Sequence, residues 1–279
     1  MVTARAPGGY CIPDMPQRTA SAAAIVTGHS RGLGAALAAE LLTRRIPVLG
    51  ISRGDNSELR ASNPADLTEV RLDLSDMDAL NRWADSSALT DFVRGVQRPL
   101  LVNNAGLLEP IGPMQTQDVA DVGRTVAVNV GGVLMMSAAF VQATEASSDR
   151  RILQISSGAG RKAYAGWSVY CATKAALDHH ARCIALDRTP GLRISSVAPG
   201  VVDTDMQTLI RASTDESFPD RPRFVAMHRK ASCATRSRSR ARSWSSCCRM
   251  NSGASPCTRW CTSASRPRAA RRTRGPGCG

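Results

Sequence analysis

Long apolar runs are the first thing this chain lacks. None of its 279 residues sits in an uninterrupted apolar stretch near the ~20 residues that a membrane-spanning helix needs. No membrane partner is therefore expected. The opening segment, MVTARAPGGYCIPDMPQRTAS, lacks the apolar middle of a secretory signal. It is rich in Gly, Pro and small residues, so 1–21 is expected to be a disordered extension, with Met15 a candidate start. Cysteine is scarce through residues 1–228, which hold only Cys11, Cys171 and Cys183. That excludes a disulfide framework there and suits a reducing, cytoplasmic setting. His29, His179 and His180 have no partners at metal-ligand spacing, so no metal site is expected. No internal repeat is present.

Acidic residues are absent from 229–279, and that absence divides the chain. The segment holds 13 of the 36 Lys and Arg, while residues 1–228 balance 23 basic against 23 acidic side chains. The net charge of +13 belongs to the tail alone. The region before it, expected as a domain over 22–228, is long enough to bury a substantial core.

From Ala22 onward, apolar runs alternate with helical patterns. The segments AAAIVTG, IPVLGIS, EVRLDLS, RPLLVNNAG, RRILQISS and LRISSVAPG read as six strands. Between them lie the Ala/Leu helix GLGAALAAELLTRR and an amphipathic helix over DALNRWADSSALTDFVRG. Further helices are expected from about Asp118 to Ala146 and from Ser168 to Asp187. Short apolar strands separated by helices imply βαβ units and a parallel sheet covered on both faces. The expected fold is a single α/β domain with a doubly wound, Rossmann-like parallel sheet and ligands at the carboxyl ends of its strands.

The first strand runs into TGHSRGLG. Gly28, Gly32 and Gly34 fall where a chain must turn tightly, approach a pyrophosphate and pack a helix on a strand. The next helix directs free N–H groups and its positive dipole end at phosphates. Glycines alone are weak evidence, but the flanking strand and helix supply the context for a dinucleotide site.

The spacing is TGxxxGxG, and here the chain resembles the short-chain dehydrogenase/reductase family from Ala22 to about Met206. The resemblance implies that Ser30, Arg31 and Leu33 of the loop contact the cofactor. It implies that Asn104, Ala105 and Gly106 of NNAG brace the sheet beside it, and that Asp73 of LDLSD contacts the adenine. Pro199, Gly200, Val202 and Thr204 of PGVVDT match the loop that grips the nicotinamide carboxamide. Enzymes using NAD(H) commonly end the second strand with an acidic residue. This chain has Ser52 and Arg53 there and Arg31 in the glycine loop, which favours the 2′-phosphate of NADP(H) over NAD(H). Asp55 is the residue that speaks for NAD(H), and the alternative reading of both arginines is as solvated surface groups.

YCATK sets Tyr170 and Lys174 four apart, on one helical face. An ammonium beside a phenol of pKa ~10 would bring it toward working pH, as general acid–base catalysis needs. In the family, the tyrosine protonates the carbonyl oxygen and the lysine also holds the ribose. Ser157, thirteen residues earlier, matches the serine that binds the substrate oxygen. Ser156 reads as structural. Asn129 of VAVNVGG matches the asparagine that bends its helix and holds a water in the proton relay. Singly, such a Tyr–Lys pair is commonly a surface pair and such a serine a cap. Jointly, at these spacings, they imply a carbonyl reductase acting on a small carbonyl or alcohol substrate. APGVVDTDMQTLIR resembles the sepiapterin reductase and benzil reductase-like branch, whose members reduce ketones or diketones with NADPH.

The tail, 229–279, shows no period of 3.6 or 2 and is compositionally disordered. As a nucleic-acid arm it has charge but little aromatic interleaving, so only non-specific binding is expected. As a zinc site, Cys247, Cys248, Cys257 and Cys261 lack paired CxxC spacing. A third reading is out-of-frame translation, which would make the chain as written a defective product. Moving the frame of residues 230–261 by two bases, with permitted codons, yields a helix start, i,i+3/i+4 apolar spacing and a terminal apolar strand. A slip near Arg229–Lys230 is therefore expected, and a homo-oligomer only where that region is intact.

Overall fold

The apolar runs become six parallel strands in the computed structural model, which describes residues 21–229. They are β1 (Ala22–Thr27), β2 (Val48–Ser52), β3 (Leu67–Arg71), β4 (Arg98–Asn103), β5 (Arg150–Ile155) and β6 (Leu192–Val197). Their order is β3-β2-β1-β4-β5-β6, so the chain reverses its direction of travel across the sheet between β1 and β4. That reversal is the point where doubly wound sheets open a crevice for ligands. The expectations for residues 1–20 and 230–279, including the extension, the arm, the zinc site and the shifted frame, lie outside the described residues.

Period-two geometry sends alternate strand residues to opposite faces. Ala23 and Ile25, with Leu49, Ile51, Leu101 and Ile152, pack under one helical layer. That layer comprises α3 (Met77–Ala84), α4 (Ala88–Val93) and α6 (Gly132–Ala143). Ala24 and Val26, with Val48, Leu100, Val102 and Leu153, meet Leu37, Leu41 and Leu42 of α1 (Gly32–Thr43) on the other. Burial on both faces explains why the central strands β1, β2 and β4 read as nearly unbroken apolar runs.

One helical expectation needs correction. The stretch expected as one helix through DALNRWADSSALTDFVRG breaks into α3 and α4. Ser86 turns its backbone N–H and its hydroxyl back onto Trp83 O, the local competition by which serine ends helices. A short helix, α2 (Ser57–Ser62), was not expected; it is capped by Asn56, whose side chain accepts from Leu59 N. The stretch expected from about Asp118 forms α5 (Val119–Val126), a π-turn over Ala127–Gly131, and then α6. By length and mean hydropathy (1.7), Val119–Ala143 also meets the composition of a membrane span. Here, Met136 and Phe140 bury into the sheet core. The remaining helices are α7 (Ser168–Leu186), α8 (Asp205–Ala212) and α9 (Arg221–Arg229).

Candidate active site

Where the six strands end, their loops line one cavity of about 810 Å³. β1 feeds in the glycine loop, β2 Arg53, β3 Asp73 and β4 Asn104 to Gly106. Ser157 comes directly after β5, and Pro199 to Thr204 come after β6. Every residue expected at the site lines this cavity except Asn129, which is fully buried.

The glycine loop has the geometry its spacing implies. Gly28 and Gly32 hold φ of +69° and +61°, conformations that L side chains rarely adopt. A Cβ on Gly34 would stand 2.0 Å from Gly28 O, so helix and strand could not close with any larger residue. Arg31, at the N-cap of α1, makes no side-chain capping bond, and Gly32, Leu33 and Gly34 line the cavity. Uncapped N–H groups at a helix start suit an anionic diphosphate. Opposite, Asn104 donates from Nδ2 to Thr27 O and Gly28 O, while Asn104 and Ala105 donate their backbone N–H to Thr27 Oγ1. The bracing expected of NNAG is thus carried out by Asn104 together with Thr27, a partner the sequence did not mark.

At the far end of this groove, Ser75 donates both its N–H and its hydroxyl to Asp73 Oδ1 (2.9 and 2.7 Å). Burial opposes the charge, but these bonds hold the carboxyl below its ordinary range. Arg53 is exposed at the cavity wall. Arg31 Nη1 lies 3.4 Å from Asp205 Oδ2, and both side chains are largely exposed, so the pair is weak. Asp55 is engaged elsewhere: hydrogen bonds from Arg71, joined by Arg60, hold its carboxyl at about 2. His29 is buried as a structural residue, with Nε2 2.7 Å from Glu69 Oε1 and Nδ1 3.2 Å from Ser52 Oγ. Among the described residues, no cluster of His, Cys, Asp or Glu could hold a metal ion.

The reacting end is built by α7. Gly160 presses the loop after β5 against that helix, since a Cβ there would lie 2.9 Å from Lys174 O. Ser157 and Tyr170 are hydrogen-bonded, and Tyr170 Oη also lies 4.0 Å from Met206 Sδ. Lys174 Nζ stands 5.7 Å from the Tyr170 ring centre and donates to Ile155 O at 2.9 Å. The expectation that Lys174 brings the phenol down is not met in this structure. Burial dominates and pushes Tyr170 up to about 12, against the lowering effect of Ser157. Burial likewise pushes Lys174 down to about 8, against the raising effect of Asp178. The pair is therefore a neutral phenol beside an amine that titrates near neutrality. Asn129 anchors the π-turn: Oδ1 accepts from Leu107 N (2.7 Å), and Nδ2 donates to Leu107 O and Thr173 Oγ1. Ser156 donates to Lys174 O, the structural role expected of it.

Tyr164, Trp167, Tyr170 and Phe224 give the cavity an aromatic wall, and Phe218 packs with them without lining the cavity. Trp167 stacks on Phe218 at 4.1 Å between ring centres and meets Tyr164, Tyr170 and Phe224 edge-on or tilted. These residues were not singled out from sequence, although Tyr164, Trp167 and Tyr170 crowd into seven positions of an aromatic-poor chain.

The short chain dehydrogenase family model matches residues 22–215. Benzil reductase ((S)-benzoin forming) of Bacillus cereus is 35% identical over 213 residues, 73% of this chain and 84% of that protein. Sepiapterin reductase of Meriones unguiculatus is 34% identical over 208 residues, 69% of this chain and 79% of that protein. The crystal structure of a short-chain dehydrogenase/reductase from Burkholderia vietnamiensis is 54% identical, with a TM-score of 0.65. It covers 71% of this chain and 94% of that one. Sheet order, glycine loop and matches agree that this chain belongs to the short-chain dehydrogenase family, as an oxidoreductase that binds a nicotinamide cofactor and acts between hydroxyl and carbonyl groups.

Proposed function

We propose that the protein reduces ketone or diketone carbonyls to alcohols with NADPH, Ser157, Tyr170, Lys174 and Asn129 being its working residues. The observation that carries this reading is a buried Tyr170, hydrogen-bonded to Ser157 and flanked by Lys174, in the cavity that the glycine loop also lines. Bound NADPH would supply the hydride. Ser157 holds the carbonyl oxygen of the substrate by a hydrogen bond. Tyr170 gives that oxygen its phenolic proton as the carbon becomes saturated, so the product leaves as an alcohol. Lys174, protonated below about 8, then faces the phenolate and favours it electrostatically. Asn129 acts at one remove, by fixing the backbone of Leu107 beside the cavity.

NADPH is preferred here to NADH because Arg53 stands at the cavity wall after β2 and Asp55 is already engaged by two arginines. Diketones are preferred because the cavity has an aromatic wall and because the relatives include benzil reductases. The test is consumption of NADPH by the full chain with benzil. Tyr170→Phe should lower turnover at least ~100-fold while leaving NADPH binding within about twofold. Full turnover in that variant would remove Tyr170 from its role as the acid.

A further inference from the structure

Lys174 is not the last charged group on the inner face of α7. Asp178, four residues on, shares that face and is 6% exposed. Ser196 of β6 donates to its Oδ1 at 2.6 Å, and Nε of the exposed Arg161 stands 3.3 Å from its Oδ2. Both oxygens therefore act as acceptors, and the side chain is fixed from two elements at once. A carboxylate is seldom buried unless opposite charge lies near it, and Lys174 is the buried cation on the same face.

The sheet fixes how the two charges lie to one another. Lys174 Nζ donates to Ile155 O on β5. Ser196, which holds Asp178, pairs across the sheet with Gln154, the residue directly before Ile155. Ammonium and carboxylate thus rest against neighbouring residues of one strand pair, and Asp178 raises Lys174 against the lowering effect of burial. The other charged groups on α7 and the elements packed against it are exposed or engaged. Asp118, Asp121 and Arg124 before and on α5 are exposed, as are His179 and Arg182 of α7. Arg193 of β6 pairs with Asp149. His180 Nδ1 accepts from Gln154 at 2.9 Å, and burial disfavours its charged form. The π-turn contributes the uncharged Asn129.

We propose that Asp178 is a positioning residue for the reaction, its buried carboxylate keeping Lys174 in the ammonium form that faces the Tyr170 phenolate. Its part in turnover rests on the reductase reading above, but the charge of Lys174 can be followed without substrate or cofactor. Neutralising Asp178 removes the attraction and leaves burial unopposed, so Lys174 gives up its proton at lower pH. The phenolate then loses its counter-charge at a pH where the unaltered enzyme still works.

The chain has three lysines, Lys162, Lys174 and Lys230, so the full chain labelled with isotopic lysine gives few side-chain NMR signals to follow. Lys162→Arg and Lys230→Arg assign them. In the unaltered chain the Lys174 signal should titrate with a midpoint of about 8. Asp178→Asn should lower that midpoint by about one pH unit, the effect of losing one neighbouring opposite charge. Asp178→Glu keeps the charge and should stay close to the unaltered chain. Asp178→Ser, smaller and also neutral, should show the same fall, and it decides the matter if the Asn variant does not fold. A Lys174 midpoint that does not move in a folded neutral variant would overturn the proposal. Turnover of benzil with NADPH, followed in parallel, should lose its alkaline side by the same interval in the neutral variants. An alkaline limb that stays in place while the lysine moves would overturn the role in the reaction. A moved lysine in a chain that reduces no benzil supports the hold of Asp178 on Lys174 and counts against the reductase reading.

Discussion

Arg53 and Tyr170 show how single residues divide the chemistry between binding and reaction. Arg53 is exposed at the cavity wall after β2, and Asp73 across the groove feels its charge. A guanidinium at that point favours a 2′-phosphate; a carboxylate would instead accept from a ribose hydroxyl and repel the phosphate. Arg53→Asp is therefore expected to move the NADPH/NADH ratio of kcat/KM at least about tenfold toward NADH, the worth of one charge-assisted bond. An unchanged ratio would mean that Arg53 is a solvated surface group. Tyr170 makes a prediction of a different kind, about stability. Its pKa rises from 10.0 in the ordinary phenol to about 12 in the fold, because the site excludes water. Below pH 10 both states hold the proton and the stabilisation is complete. As pH climbs toward 12, the unfolded chain gives up its proton first, so stability falls. Tyr170→Phe has no such proton to lose. Its stability should gain on the unaltered protein by about 1.3 kcal/mol between about pH 9 and about pH 11, measured by denaturant unfolding at those two values. A constant difference between the two proteins would show that the phenol is not held out of water.

At the scale of elements, legibility tracks burial. β1 and β2 are buried almost throughout and read as nearly continuous apolar runs, so their sheet was visible in the sequence. α2 has no buried residue and no apolar period to announce it, and α3–α4 looked continuous because Ser86 ends a helix through its own hydrogen bonds. The cavity divides in the same way. Glycine loop, NNAG, Tyr170 and Lys174 were legible because each sits at a fixed spacing on one element. The aromatic wall was not, because Trp167 and Phe224 belong to different segments and meet only in the folded chain. The π-turn lies between these cases: Asn129 was marked, but its partners Leu107 and Thr173 were not. Asn129→Ala would strip partners from the Leu107 N–H and C=O together, and should cost about 1–3 kcal/mol. At ~2–4 °C per kcal/mol, that is a readable fall in Tm. Turnover should fall with it, since Leu107 lines the cavity; a Tm within experimental error of the parent would show that the turn holds itself without the asparagine.

Over the whole molecule, charge and sheet raise the same question about the segment beyond Arg229. Residues 1–228 carry balanced charge, whereas 229–279 carry 13 basic residues and no acidic one. Among the described residues β6 pairs only with β5, so one long side of the sheet ends on a strand with a single neighbour. Exposed strand edges invite association with other chains, and proteins commonly cover or pair them. The segment obtained by shifting the frame of residues 230–261 has the pattern of an amphipathic helix and then an apolar strand, which is the kind of unit that could extend the sheet beyond β6. A further strand would bury apolar surface at ~25 cal/mol per Å², against a total stability of only about 5–15 kcal/mol for a domain. A gene carrying the shifted frame after codon 229 is therefore expected to give a protein with a higher Tm, greater solubility and faster reduction of benzil than the chain as written. Its retention on a polyanion column should also lose its steep salt dependence, since the basic cluster would be gone. Equal Tm and equal turnover in the two proteins would defeat the shifted frame and leave the arginines to be explained as part of the working protein.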